Sequence, residues 1–226
     1  DKYYQFWQRL IDNRDIKKVF QPIWSEVKHV WTRDIFRDVF SNHNNELETP
    51  EDYINHSLYF ECKTFLQGLL LVEDKLSMAH SLETRVPFLD NDLVDFAMSC
   101  PVNLKLNNLK NVIRLNENEF GRKTNKFFKK TKDGKQILRN VMGNFIPKQI
   151  TSSEKQGFSS PDSSWFKGES IDFVKKVLYE GDALIFTFMD KKTIHSIVDQ
   201  HLNGKENRRL LIWSLLNTEA YFQEIL

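Results

Sequence analysis

Two short stretches hold residue types that could do chemistry. The first is Ser77-Met78-Ala79-His80-Ser81-Leu82-Glu83-Thr84-Arg85-Val86-Pro87-Phe88-Leu89-Asp90. Glu83, Arg85 and Asp90 sit there among Leu82, Val86, Phe88 and Leu89. Glu83 and Arg85 are two residues apart, so in an extended segment both point the same way. Charges flanked by apolar neighbours are expected to be half-buried, where each needs a partner. They read either as a structural ion pair that fixes the chain at this point or as a substrate-binding set. The second stretch is Ser152-Ser153-Glu154-Lys155-Gln156-Gly157-Phe158-Ser159-Ser160-Pro161. It places Lys155 in a small-residue loop, with Gly157 beside it and Phe158 to anchor the backbone. A lysine is a point charge on a long stem and suits phosphate oxygens. The plain alternative is a lysine in solvent.

The elements that must position these residues carry a 3.6-residue apolar period almost throughout. Phe6, Trp7, Leu10 and Ile11 share one helical face, and Val27, Val30, Trp31, Ile35, Phe36, Val39 and Phe40 predict a second helix. Residues 41–48 are polar and read as a loop. Thr49-Pro50-Glu51-Asp52 marks a helix start: a capping hydroxyl, a proline at the first helical position, and acids at the positive dipole end. That helix should pass Tyr59 and Cys62, and a further helical run covers about 69–82. Val86-Pro87 forces an extended break, because the residue before proline is pushed out of the α region. Asp90 can cap a short helix over 93–98, which Pro101 ends. Helical patterning resumes over 136–141, 171–179, 191–202 with Gly204 as its stop, and 208–225. The last has apolar positions nearly all round and is expected to be deeply packed. No strand is evident, so the chain reads as one mainly α region over residues 1–226.

Residues 105–135 differ from the rest. From Arg122 to Lys135 there are seven Lys or Arg against one Asp. This basic polar insertion is either a solvated segment or a flap over an anionic ligand.

Composition excludes other chemistries. The 226 residues carry 32 Lys+Arg against 31 Asp+Glu, a net charge of +1, which argues against a dedicated nucleic-acid binder. There are 8 glycines, about half the usual share, and the closest pair, Gly134 and Gly143, is nine residues apart. A phosphate cradle needs clustered glycines so that backbone N–H groups can approach the anion. No G-x-G-x-x-G, G-x-x-x-x-G-K-[ST] or G-x-S-x-G occurs. Two cysteines, Cys62 and Cys100, are too few for a disulfide framework, and a reducing, cytoplasmic setting is expected. The six histidines show no metal-ligand spacing, so no metal site is expected. No apolar run approaches the roughly 20 residues of a membrane span. The chain opens with Asp1 rather than Met, which reads as a cut or processed end.

The run Asp74-Lys75-Leu76 through Asp90 resembles the signature of glutamine-hydrolysing asparagine synthetases. Ile137-Leu138-Arg139, Ile146-Pro147, Lys155-x-Gly157-Phe158, Pro161, Trp165 and the tail Arg209 to Leu216 follow in that family's order. The resemblance spans most of the chain from about Pro50 onward. It implies a C-terminal part of an α/β adenine-nucleotide (PP-loop) ATP-pyrophosphatase domain, the helical side of it, with sheet and nucleotide loop absent from this sequence. It further implies activation of the aspartate β-carboxylate by Mg2+ and ATP as β-aspartyl-AMP, then displacement of AMP by ammonia from glutamine. The family's Lys155 counterpart stabilises charge on the α-phosphate and departing pyrophosphate, and Glu83 is the synthetase-site carboxylate. Arg85, Asp74 and Asp90 fall to the substrate side. Lys75 stands where the family commonly has arginine. The S-G-G-x-D-S loop and the glutaminase cysteine are absent, so ATP and Mg2+ are expected to be held largely by a missing upstream half. A glutaminase domain is the other expected partner, a homodimer is an allowed assembly, and the chain alone is expected to be inert. Two other readings stay open. One is a related carboxylate-adenylating enzyme of β-lactam synthetase or lasso-peptide cyclase type. The other is a helical interaction module, to which the 18 Phe, 5 Trp and 6 Tyr would lend a docking face.

Overall fold

A computed structural model describes residues 2–8, 10–42, 47–106, 135–153, 168 and 170–225. Lys155 and most of the basic insertion lie outside the described residues. Among the described residues all regular structure is helical, and none is a strand. No helix there is long and apolar enough to cross a membrane. The chain divides into two compact units, one holding described residues 2–31 and 168–225, the other 32–106 and 135–153.

The first unit owns the hydrophobic core. Val19 ends the helix Asn13–Val19, and Val174 belongs to Ser170–Lys175. Ile194 and Val198 lie in Lys191–Leu202, and Ile212 in Arg209–Ile225. All five are fully buried, together with Leu178 and Ile185. Each such side chain stabilises by about 1.5–3 kcal/mol relative to exposure. The Asp190 N–H donates to Val19 O at 2.7 Å, tying the helix Asn13–Val19 to the start of Lys191–Leu202. Asp190 then caps Lys191–Leu202 through Oδ1, which accepts from Thr193 N at 2.9 Å. The same helix stops as the sequence predicts: Gly204 takes φ +71, with Lys205 N bonded to Gln200 O and Gly204 N to His201 O.

The last helix corrects its expectation. Leu211, Ile212, Leu215, Leu216 and Glu219 are buried, but Trp213 and Tyr221 are exposed. It packs by one stripe against the core, so the apolar residues on its other side meet solvent. The predicted helix from Val27 to Phe40 is also corrected. It is two pieces, Trp24–Val27 and Thr32–Asp38, parted by a turn at residues 28–30. Val30, Trp31 and Thr32 are poor helix formers, and threonine favours a helix end. The parting falls where one unit gives way to the other.

In the second unit the long helical path starts as expected. Thr49 and Asp52 form a reciprocal capping box: Asp52 N donates to Thr49 Oγ1, and Thr49 N donates to Asp52 Oδ2 at 2.8 Å. The helix Pro50–Glu61 continues through a π-helical turn, Cys62–Leu66, into Gln67–Ala79. Phe60 is its buried anchor, with Phe36 at 4.7 Å and Phe40 at 5.8 Å between ring centroids. Lys105 closes the unit by donating to Asn55 Oδ1 at 3.2 Å and Met98 O at 2.9 Å. Much apolar surface stays uncovered, including Leu69, Leu71, Val72, Leu76, Met78, Phe88 and Phe96.

Candidate functional site

The first candidate stretch sits where Gln67–Ala79 ends. Ser77 is buried and its hydroxyl donates to Asp74 O at 3.1 Å, so the last turn is held from inside. The end itself is a Schellman motif. Leu82 N donates to Ser77 O at 2.9 Å and Ser81 N to Met78 O at 3.0 Å. Ser81 occupies the left-handed region, φ 57, the position that glycine ordinarily takes. A non-glycine residue held there costs about 1 kcal/mol or more, and such backbone strain concentrates at functional sites. The chain leaves the helix at this serine and runs without regular structure through residues 82–86. Pro87–Leu89 forms one 3₁₀ turn, and Asp90 opens the next helix, Asn91–Ser99, its Oδ1 accepting from Leu93 N at 3.2 Å.

That path brings Glu83 and Arg85 together. Arg85 Nη2 donates to Glu83 Oε1 at 2.8 Å. The pair is not half-buried as its neighbours predict: the side chains are 69% (Glu83) and 81% (Arg85) exposed. Leu82, Val86 and Phe88 are exposed as well. Apolar neighbours bury a charge only where another layer packs over them, and among the described residues none does. An ion pair this exposed contributes about 0–1 kcal/mol. The Schellman turn, Pro87 and the Asp90 cap fix the break instead. Asp74 lies on Gln67–Ala79 with its side chain exposed. One Asp90 oxygen is committed to its helix.

The second stretch is seen up to its root. Pro147 precedes a short helix, Lys148–Thr151, and residues 152–153 follow. Ser152 and Ser153 hydroxyls donate to Lys148 O at 2.6 Å and Ile150 O at 2.7 Å. Arg139, from the helix Gln136–Met142, donates from Nη1 to Thr151 O and to Ser153 O. The sequence reading missed this contact and the left-handed Ser81. Arg139 was legible only as one letter in a family-ordered string, and nothing in a serine signals a positive φ.

Among the described residues no glycine-rich turn follows a strand, and no three His, Cys, Asp or Glu side chains gather as a metal cage. What they offer is a carboxylate–guanidinium pair on an exposed segment and a turn at residues 151–153 held by Arg139.

The comparison with known proteins decides whose pattern this is. The profile of the family described as asparagine synthase matches residues 4–225. The chain belongs to the asparagine synthase family. Among curated relatives, asparagine synthetase [glutamine-hydrolyzing] 1 of Bacillus subtilis is 28% identical over 193 residues, 84% of this chain and 26% of that protein. A putative asparagine synthetase [glutamine-hydrolyzing] of Mycobacterium bovis is 23% identical over 205 residues, 90% of this chain and 26% of its own length. Amidase chry2 of Gibberella zeae is 23% identical over 159 residues, 70% of this chain and 21% of that one. The chain therefore spans about a quarter of the length of the curated relatives it matches. No solved structure matches it significantly.

Proposed function

We propose that this chain is the helical C-terminal part of the PP-loop ATP-pyrophosphatase domain of a glutamine-dependent asparagine synthetase. In the whole protein, ATP activates the aspartate β-carboxylate as β-aspartyl-AMP and releases pyrophosphate. Ammonia from glutamine then displaces AMP and gives asparagine. The observation that carries this reading is the outward-facing Glu83–Arg85 pair inside the intact string Ser81 to Asp90 of the signature. The pair contributes little to stability, so both side chains stand open to a ligand, and the signature segment of the family is what gives them a role. Glu83 acts as the synthetase-site carboxylate, and Arg85, Asp74 and Asp90 orient substrate. Lys155 stabilises charge on the phosphates.

The partners follow from the resemblance to glutamine-hydrolysing asparagine synthetases and the family match over residues 4–225. Nucleotide and Mg2+ are held mainly by an upstream PP-loop half, and a glutaminase domain supplies ammonia. The uncovered apolar residues of the second unit, Leu69, Leu71, Val72, Phe88 and Phe96, are the surface on which that half packs. The chain alone is inert, the full protein works in the cytoplasm, and a homodimer is compatible with it.

Glu83→Gln in the full-length protein is expected to leave folding stability within about 0.5 kcal/mol, because the pair it breaks is solvent-exposed. Asparagine formation should fall by about 10²-fold, the scale of losing a placed charge. Thermal melting and a product assay on the same preparation check both halves. Unchanged turnover removes Glu83 from the site.

A second reading keeps to the same family with a different acceptor, since not every relative is named a synthetase: Amidase chry2 matches at the same 23% identity as the mycobacterial synthetase. A related carboxylate-adenylating, amide-forming enzyme of β-lactam synthetase or lasso-peptide cyclase type would keep the activation step and change the acceptor. Turnover with aspartate against other carboxylates separates the two.

A further inference from the structure

We propose that Ser81 is a positioning residue for Glu83, acting through the left-handed turn that it occupies. The inference rests on the reading of Glu83 given above. Ser81 is where the chain leaves the helix Gln67–Ala79, and its φ is 57. The turn closes largely on one carbonyl. Ser77 O accepts from His80 N at 3.0 Å and from Leu82 N at 2.9 Å, and Ser81 N donates to Met78 O at 3.0 Å. Ser77 is itself buried, with its hydroxyl bonded back to Asp74 O, so that acceptor is fixed in the last helical turn. Beyond Leu82 N the hold ends. Among the described residues Glu83 and Arg85 bond each other, and the next backbone tie is Leu89 N to Val86 O at 2.9 Å. Both side chains are exposed, so packing does not set them either. The direction in which the backbone leaves Ser81 fixes where Glu83 stands.

Covalent geometry gives the size of the effect. Glu83 is two residues past Ser81, so the two Cα atoms are at most about 7 Å apart. Moving Ser81 from its left-handed φ to either ordinary region turns the chain beyond it by more than about 100°. That breaks the bond from Leu82 N and displaces the Glu83 carboxylate, and a misplacement of about 1 Å can cost about 10²-fold in rate. The residue type at 81 decides how readily the turn is kept. Glycine has no Cβ to oppose a positive φ, asparagine visits this region more than most residues, and a β-branched residue is an outlier there. The Ser81 hydroxyl has no partner among the described residues, so the backbone conformation is what the turn requires of this position.

The test uses the full-length protein and measures kcat for asparagine formation alongside glutamine hydrolysis. Ser81→Gly and Ser81→Asn are expected to keep kcat within about threefold of wild type. Ser81→Val should lower it about 10²-fold, with glutamine hydrolysis changed by less than about threefold. In a Glu83→Gln background, adding Ser81→Val should cost less than about twofold, because residues acting as a unit are not additive. Wild-type kcat in Ser81→Val overturns the inference. So does a loss in Ser81→Gly as large as in Ser81→Val, which puts the requirement in the side chain. A Ser81→Val penalty of the same size with and without Glu83 marks a merely structural role and overturns it too. If Ser81→Val does not fold, Ser81→Thr decides, since it is also β-branched and keeps the hydroxyl. A reduced kcat in Ser81→Thr that adds nothing to Glu83→Gln supports the inference, and full kcat overturns it. Loss of activity in Glu83→Gln with none in Ser81→Val sinks this inference alone. Full turnover in Glu83→Gln, or a wild-type protein with no aspartate-dependent turnover, sinks the functional reading beneath it as well.

Discussion

Lys155→Ala in the full-length protein is expected to lower asparagine formation by about 10²–10³-fold while glutamine hydrolysis stays measurable. Lysine carries a compact charge on a flexible stem, matched to oxygens whose charge grows as pyrophosphate departs. Its removal therefore acts on the synthetase chemistry and leaves ammonia production at a separate centre untouched. The stretch Lys155-Gln156-Gly157-Phe158 is what assigns it this place, since no other lysine of the chain stands in that setting. Asparagine formed and glutamate released, assayed together, give the partition directly. Normal asparagine formation in the variant removes Lys155 from the mechanism.

The largest effect on stability is expected at Glu219. This carboxylate is 4% exposed on the last helix. It accepts from Leu184 N on Oε1 and Ile185 N on Oε2, both at 3.0 Å, and from Gln223 Nε2 at 2.8 Å. It thereby satisfies N–H groups at the start of the 3₁₀ turn Leu184–Thr187, which have no partner within that turn. Glu219→Ala strands two donors in the core and should cost about 2–5 kcal/mol, a large share of an ordinary domain's stability. Hydrogen exchange at the Leu184 and Ile185 amides should speed up accordingly. The same residue sets a pH dependence. Burial alone raises the Glu219 carboxyl, but the hydrogen bonds from Gln223, Ile185 and Leu184 outweigh it and hold it below its ordinary value of 4.5. A carboxyl lowered in the folded state contributes stability that is fully present above its unfolded value and is lost as pH falls through the folded one. The stability gap between wild type and Glu219→Gln should be flat from neutral pH to about 5 and shrink below that. Unfolding midpoints across that range check it, and a gap that does not change with pH contradicts it.

Helix boundaries were the most legible part of the fold, because their signals are local. Thr49-Pro50-Glu51-Asp52, Asp90 and Gly204 each act through atoms within a few residues. The break at Val86-Pro87 was legible for the same reason. Burial was less so. Glu83 and Arg85 look destined for a half-buried place, yet whether anything packs over them depends on distant parts of the chain. Trp213 and Tyr221 suggest an all-round buried helix, but only one stripe meets a core. The π turn at Cys62–Leu66 and the left-handed Ser81 have no compositional mark. Arg139 reaches carbonyls 12 and 14 residues away, a contact that periodicity does not encode. Of the candidate site, the segment 77–90 can be followed atom by atom, whereas Lys155 lies beyond the described residues and is assigned on sequence pattern alone.

Exchange of labelled pyrophosphate into ATP by the full-length protein, with and without aspartate, tests the central claim most directly. Reversible formation of β-aspartyl-AMP predicts exchange that appears when aspartate is added and is lost in Glu83→Gln and Lys155→Ala. Exchange that ignores aspartate, or none at all from a folded full-length protein, contradicts it.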